Sequence, residues 1–353
     1  METDNIVAET AEKIFADLAD GQTIIASKTE TWRAPLWSAL TDAGLPLSWV
    51  PEDQDGSGAS LAEGFSVLSA AGRHAVAVPL AETMLAGWLL AQGGIASPPD
   101  AMTIAPAAPK DKITLNADGT LSGRARAVPF AKAAKHIAVL AIGSNGHSIA
   151  LVDAGACRIE SGLNLSSDES DTVIFDKVQP IAIKPTPESF NPLSPLLMGI
   201  VMRSLQIAGA LESMLDITVR YSNERVAFEK KISKFQAVQH NLARLAGETS
   251  AALAAASSAA DAISNATIFD DAIFLEAASA KVRCAEAAEK GAAIAHQVHG
   301  AIGFTQEHIL HRFTLRALAW RDDFGNESYW AVELGKLVAS RGADDLWPLV
   351  ASR

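Results

Sequence analysis

Two stretches of the chain carry residue types whose spacing suits the binding of a flat, phosphorylated ligand. The first is residues 220–239, where Arg220, Arg225, Lys230, Lys231 and Lys234 crowd a short connection between two apolar-periodic segments. Arginine grips phosphate oxygens through paired hydrogen bonds. A helix beginning near Ile232 would add backbone donors for an anion. The same stretch also reads as a solvated turn between helices, where lysines are common. The second stretch is Gln297-Val298-His299-Gly300-Ala301-Ile302-Gly303-Phe304-Thr305. Gly300 and Gly303 permit a sharp turn or a close approach of backbone to a ligand. Gln297 offers a donor and an acceptor suited to an adenine edge. A helix C-cap followed by a tight turn accounts for this spacing equally well. On residue chemistry alone both readings of each stretch stay open.

Other reactive residue types lack a supporting pattern. His296-x-x-His299 and His308-x-x-His311 have the look of ligand pairs, but no carboxylate stands at a zinc-protease spacing. Packing or surface roles are expected for them, and no metal. Ser66 has no G-x-S-x-G context, which argues against a hydrolase elbow. The two cysteines, Cys157 and Cys284, form no CxxC or Cys/His array, so neither a disulfide framework nor a structural zinc site is expected.

The elements that must position these residues fall into three segments. At 353 residues the chain has room for two or three domains. Residues 1–100 read as a helical domain. Apolar residues recur at helical spacing over 4–20 and 31–43, Ser60-Leu61-Ala62-Glu63 forms a capping box, and a further helix spans 80–92. Residues 101–185 read as a small antiparallel β domain, with strands expected at 112–116, 120–128, 136–142, 147–152 and 172–178. Asn116-Ala117-Asp118-Gly119 and Ser144-Asn145-Gly146 supply hairpin turn chemistry. Strands that do not alternate with long helices argue against a Rossmann fold. Residues 190–353 read as a four-helix-bundle domain. Its first helix carries an apolar stripe from Leu196 to Val219, and further helices are expected over 232–265, 269–298, 306–320 and 328–340. The fold class is therefore α+β.

A net charge of −12 excludes a general nucleic-acid binder. An anionic small ligand remains compatible where cations cluster locally. Met1-Glu2-Thr3-Asp4 has no basic lead before an apolar core, so no signal peptide is expected. No charge-free run reaches membrane-spanning length. A cytoplasmic, reducing compartment is the expectation.

The order helical, β, helical, together with three motifs, resembles the acyl-CoA dehydrogenase family over essentially the whole chain. Trp49-Val50-Pro51-Glu52 followed by Gly56-Ser57-Gly58 is similar to the family's loop between N-terminal helices. Tyr221 to Phe228 with Gln236 to Ala243 resembles its Y-x-x-x-R-x-x-F-G…Q-x-x-Q-x-x-L-A signature. Residues 297–305 resemble its Q-x-x-G-G-x-G-[FY]-T segment. The resemblance implies α,β-desaturation of an acyl-CoA thioester, with FAD as hydride acceptor. It places Arg225 on the FAD pyrophosphate of a neighbouring subunit, with Phe228 and Gln236 nearby. It puts Gln297, Gly300 and Ala301 on the adenine and ribitol side. It further implies a homodimer or homotetramer, or a heterotetramer with a complete homologue, and an electron-transfer flavoprotein as acceptor.

The departures from the family pattern bear on catalysis. Glu229 and Ala301 replace signature glycines, and Thr103-Ile104-Ala105-Pro106-Ala107-Ala108-Pro109 lacks the acid, glycine and serine of the family's flavin-cradling segment. The family's glutamate base aligns with Phe324 or Gly325, and its alternative position falls near Gly199. Asp323, and after it Glu327, are the carboxylates that a shifted loop would offer as base; the structural alternative pairs Asp322 and Asp323 with Arg316 or Arg321. Three functional readings follow: an active dehydrogenase subunit, a non-catalytic partner in a heteromer, and a flavin-free scaffolding paralogue.

Overall fold

The computed structural model describes residues 6–27 and 30–351; the Met1–Asp4 segment lies outside the described residues. The first segment is built from α1 (Ile6–Leu18), α2 (Gly21–Ser27), α3 (Arg33–Asp42), α4 (Leu61–Arg73) and α5 (Leu80–Gln92). The capping box at Ser60 forms in both directions: its hydroxyl accepts from Glu63 N at 3.3 Å and its own N–H donates to Glu63 Oε2 at 2.8 Å. α5 differs from its neighbours in having no polar face. Every residue from Leu80 to Leu90 is buried, Glu82 among them.

The middle segment forms one sheet from β1 (Met102–Ala105), β2 (Ile113–Leu115), β3 (Leu121–Pro129), β4 (His136–Gly143), β5 (Gly146–Asp153), β6 (Arg158–Glu160), β7 (Ser170–Val178) and β8 (Ala182–Pro185). The order is β6-β7-β3-β2-β4-β5-β8, with β1 also on β4. The sheet is mixed, not antiparallel throughout, because β4 runs parallel to both β1 and β2. Hairpin turns encode only neighbours in sequence, and both expected turns are present with Gly119 and Gly146 at positive φ. The parallel pairs join strands far apart in the chain, which turn residues do not encode. β1, β6 and β8, each three or four residues long, are additions to the expected strands.

The last segment comprises α6 (Ser194–Glu224), a short hairpin of β9 (Val226–Ala227) and β10 (Lys230–Lys231), α7 (Gln236–Asn265), α8 (Asp271–His299), α9 (Leu310–Trp320), α10 (Glu327–Arg341) and α11 (Leu346–Ala351). α6 is the hub and packs against α4, α7, α8 and α9. By length and composition it would cross a membrane, yet 94% of its most apolar window is buried inside the protein. Its crossing with α4 needs glycine on both sides. A Cβ on Gly72 would sit 2.3 Å from Gln206 O, and one on Gly209 would sit 2.3 Å from Ser69 O. α7 begins at Gln236, because residues 226–234 are spent on the hairpin and a 3-10 turn.

Candidate functional site

The two candidate stretches meet at one end of the bundle. Tyr221, in the last turn of α6, donates its hydroxyl to His299 O at the end of α8, at 3.2 Å. Its ring stacks on the His299 imidazole, with centroids 4.3 Å apart and planes 23° from parallel. One turn on, Arg225 caps α6 with extended backbone and donates its N–H to Tyr221 O at 2.9 Å. The β9–β10 hairpin then turns at Phe228 and Glu229, whose φ values of 51° and 63° are the left-handed pair that a tight hairpin requires. A glycine would meet this demand without strain, which accounts for the signature glycine that Glu229 replaces.

The hairpin presents its side chains outward. Phe228 is 89% exposed and lies edge-on to the ring of Phe235. Arg225, Lys231 and Gln236 are exposed, and Arg225 has no side-chain partner among the described residues. Across the Tyr221 bridge, α8 ends at Gly300, whose φ of 67° turns the chain into a short 3-10 helix, Gly300–Phe304. Gln297, Gly300 and Ala301 are exposed on this turn. A Cβ on Gly303 would lie 3.0 Å from His299 Cβ.

The histidines around the turn are packed against their neighbours. His299 Nδ1 donates to Ala295 O at 2.8 Å, leaving Nε2 as an enclosed acceptor without a partner. Thr314 Oγ1 donates to His311 O at 3.2 Å and accepts from His296 Nε2 at 2.9 Å, which leaves His296 Nδ1 in the same condition. Burial lowers the His299 pKa to about 4 and also lowers those of His296 and His308. Among the described residues no group of three or more His, Cys, Asp or Glu side chains is placed to hold a metal ion.

The region expected to hold a flavin ring and a base is built differently. Thr103 is fully buried and its hydroxyl donates to Pro129 O at 2.7 Å, inside the sheet. Phe324 is 2% exposed, held at a φ of 57°, and its ring packs on Gly199. A Cβ on Gly199 would come within 2.6 Å of that ring. The two positions that the resemblance assigns to the base therefore press against each other, and both are apolar. Beside them opens a cleft of about 340 Å³, lined by Ala107, Pro109, Ala127, Phe324, Gly325 and Tyr329 among others. Lys281 Nζ holds the loop through Trp320 O and Asp323 O, both at 2.8 Å, and Trp330 Nε1 through Phe324 O at 3.1 Å.

Asp323 occupies a different setting from the one its sequence position suggested. Its carboxylate is 6% exposed and accepts from Arg203 Nε at 2.8 Å. Arg203, 2% exposed, also donates to Gln206 Oε1 at 2.6 Å and to Glu82. The partner is thus neither Arg316 nor Arg321: Arg316 pairs with Asp168, and Arg321 pairs with Glu327 and Glu289. Burial raises the pKa of Asp323 and of Glu82, with Arg203 opposing it in both. Burial lowers Lys281 to about 8. Two cations and two carboxylates make this node charge-balanced, and it ties α5, α6, α8 and the loop after α9 together.

Sequence reasoning assigned no role to Tyr221, Glu82, Arg203 or Lys281. A signal existed for two of them: Glu82 interrupts the apolar run of α5, and Arg203 interrupts the apolar stripe of α6. A charge inside such a run needs a buried partner. The mutual seating of Gly199 and Phe324 had no sequence signal, since neither residue type announces a missing carboxylate.

Residues 193–327 match the family model described as "Acyl-CoA dehydrogenase, C-terminal domain". The chain is 29% identical over 286 residues to "Acyl-CoA dehydrogenase IpdE2" of Mycobacterium tuberculosis, an alignment spanning 80% of each protein. Among solved structures it is similar to a chain of the Tcur3481-Tcur3483 steroid acyl-CoA dehydrogenase, with a TM-score of 0.83 and 26% identity over 95% of this chain and 97% of that one. It shares its fold with a chain of the ChsE4-ChsE5 complex from Mycobacterium tuberculosis, with a TM-score of 0.86 and 22% identity over 97% of this chain and 99% of that one.

Proposed function

We propose that the chain is a member of the acyl-CoA dehydrogenase family, and within it the cofactor-sharing, base-lacking subunit of a heteromeric enzyme. The observation that carries this reading is the packing of Phe324 against Gly199, which fills both base positions with apolar groups. Asp323, the substitute carboxylate, is engaged by Arg203 and buried. A general base must reach the proton it removes. Here the complete homologue would supply that carboxylate.

The fit of this chain to FAD is one-sided. At the nucleotide end, an unpaired exposed guanidinium on an acidic protein suits a phosphate. Arg225 would hold the pyrophosphate in a site completed by the neighbouring subunit, with Phe228 and Gln236 beside it. Gln297, Gly300 and Ala301 would face the adenine and ribitol side. At the flavin-ring end, residues 103–109 offer no polar side chain free of the sheet, and the ring contacts would fall to the partner. Bound FAD would accept the hydride from the acyl-CoA β-carbon. The residues of this chain would bind and orient it and exclude water.

The two solved relatives are each described as a pair of differently named chains, one of them as a steroid enzyme. A bulky, steroid-like acyl-CoA is accordingly the substrate class proposed, with an electron-transfer flavoprotein as acceptor. A cytoplasmic location goes with this reading, since Cys157 and Cys284 are both free thiols. The test is an absorption spectrum of the chain purified alone and co-expressed with a complete homologue. Flavin bands and desaturation in the pair, and neither in the isolated chain, are expected. Turnover by the isolated chain would overturn the base-lacking assignment, and flavin in neither preparation would overturn the enzymatic reading.

A further inference from the structure

A second cluster of cations lies apart from the hairpin, where the start of α3, the loop before β7 and α9 converge. Arg316 is buried and grips Asp168 with both arms, Nε to Oδ2 and Nη2 to Oδ1, each at 2.9 Å. Arg33 Nη2 reaches the same carboxylate at 3.3 Å. Arg312, one turn before Arg316 on α9, has no ion-pair partner among the described residues. Its guanidinium carbon stands 5.4 Å from the centre of the Trp32 ring, and that of Arg33 stands 5.8 Å from the same ring. Two arginines thus share one indole, which is itself 5% exposed.

The charges and donors of this cluster do not balance. Three guanidiniums face one buried carboxylate, Asp168, and one that is 58% exposed, Glu30. Arg312 Nη2 is enclosed and has no acceptor among the described residues. Arg33 Nε is enclosed too; it approaches Glu30 Oε2 at 2.6 Å but off the line of a hydrogen bond. Burial, and then the charge of Arg316, lowers the pKa of Arg312 to about 10. A partly buried cation without a counter-charge is costly, and so is an enclosed donor without an acceptor. An oxyanion between Arg312 and Arg33 removes both costs at once. The Arg33 side chain is 28% exposed, so the cluster is open to solvent on that side.

We infer that Arg33, Arg312 and Arg316 form a binding site for a phosphate-type oxyanion beside Trp32, held in shape by Asp168. The inference does not rest on the reading given to the FAD-sharing surface. Its occupant is either free phosphate or a phosphate carried by a nucleotide-like ligand such as coenzyme A, and the chemistry of recognition is the same for both.

Titration calorimetry with inorganic phosphate at constant ionic strength tests it on the full chain. Saturable binding is expected, weakened about tenfold or more in Arg312→Gln, since a charged hydrogen bond is lost. Arg312→Lys should fall between, because an ammonium keeps the charge and loses the fork. Arg124→Gln, at an exposed pair on β3, should bind as the parent does. Competition by coenzyme A but not by its 3′-dephospho form would identify a carried phosphate as occupant; no competition by either would identify the free ion. Absence of saturable phosphate binding to the parent chain overturns the inference, as does parent-like affinity in Arg312→Gln or in Arg312→Lys.

Discussion

Replacing Asp323 by asparagine separates two roles that one carboxylate could hold. In the structure Asp323 and Glu82 neutralise Arg203 and Lys281 in a node shielded from water. The amide would preserve shape and still accept from Arg203 Nε, but it would leave one positive charge uncompensated. Breaking a buried pair from one side costs about 3–5 kcal/mol. An unfolding entropy of roughly 2.1 cal/mol/K per residue, over 353 residues, gives about 0.7 kcal/mol/K. The expected drop in melting temperature is therefore about 4–7 °C, read by calorimetry on the isolated chain without flavin. Asp322→Asn, at the exposed neighbour, should shift it by less than about 1 °C. Should Asp323→Asn melt with the parent protein while the assembled enzyme loses turnover, the structural role is wrong and Asp323 is the base.

Three further outcomes follow from the geometry. Arg225→Ala should weaken flavin retention in the assembled enzyme by about 10- to 100-fold, the loss of a charged hydrogen bond to phosphate, while leaving the melting of the isolated chain unchanged; equilibrium dialysis of flavin measures it, and unaltered affinity removes Arg225 from the site. Gly199→Ala should destabilise the chain by about 1–3 kcal/mol through overpacking on Phe324, and Phe324→Ala in the same chain should recover part of that loss, as a denaturant-midpoint cycle would show. For pH, the depressed values of His296, His299 and His308 mean that the unfolded chain takes up protons below about 6.5 while the folded chain resists until about 4 at His299; stability is full above that window and falls as pH falls through it. Melts from pH 7 to 4.5 check this, and His299→Phe should flatten the slope.

Much of the fold was legible because its signals are local. The capping box at Ser60, the glycines at 119 and 146, and the wide apolar stripe of α6 each dictate their own neighbourhood. The parallel pairing of β4 with β1 and β2 depends on contacts between distant segments, and strands this short carry little periodicity of their own. The β9–β10 hairpin escaped notice because Phe228 and Glu229 occupy turn positions where glycine or asparagine would give the cue. At the candidate site, the two stretches could be singled out by residue type, since arginine and paired glycines carry chemical meaning. The join between them could not, because a tyrosine hydroxyl on a carbonyl 78 residues away leaves no trace in spacing. Asp323 shows the converse: its type suggested a base, and only the partner at Arg203 reveals what its charge is balanced against.

The all-round burial of α5 has a consequence for the order in which the molecule can be made. Glu82 sits at the first turn of a helix with no wet side, and its counter-charge, Arg203, is 121 residues further along the chain. While the amino-terminal segment emerges from the ribosome, α5 has nowhere to put that carboxylate. Burying it alone is opposed by desolvation, and leaving the helix out exposes Leu85, Leu89 and Leu90 to water. The first segment is therefore expected to stay open until α6 has been synthesised. Synthesis must run on past Asp323 before the charges balance. A fragment ending near residue 100 should be a client of chaperones, and early pausing of translation would lengthen its exposure.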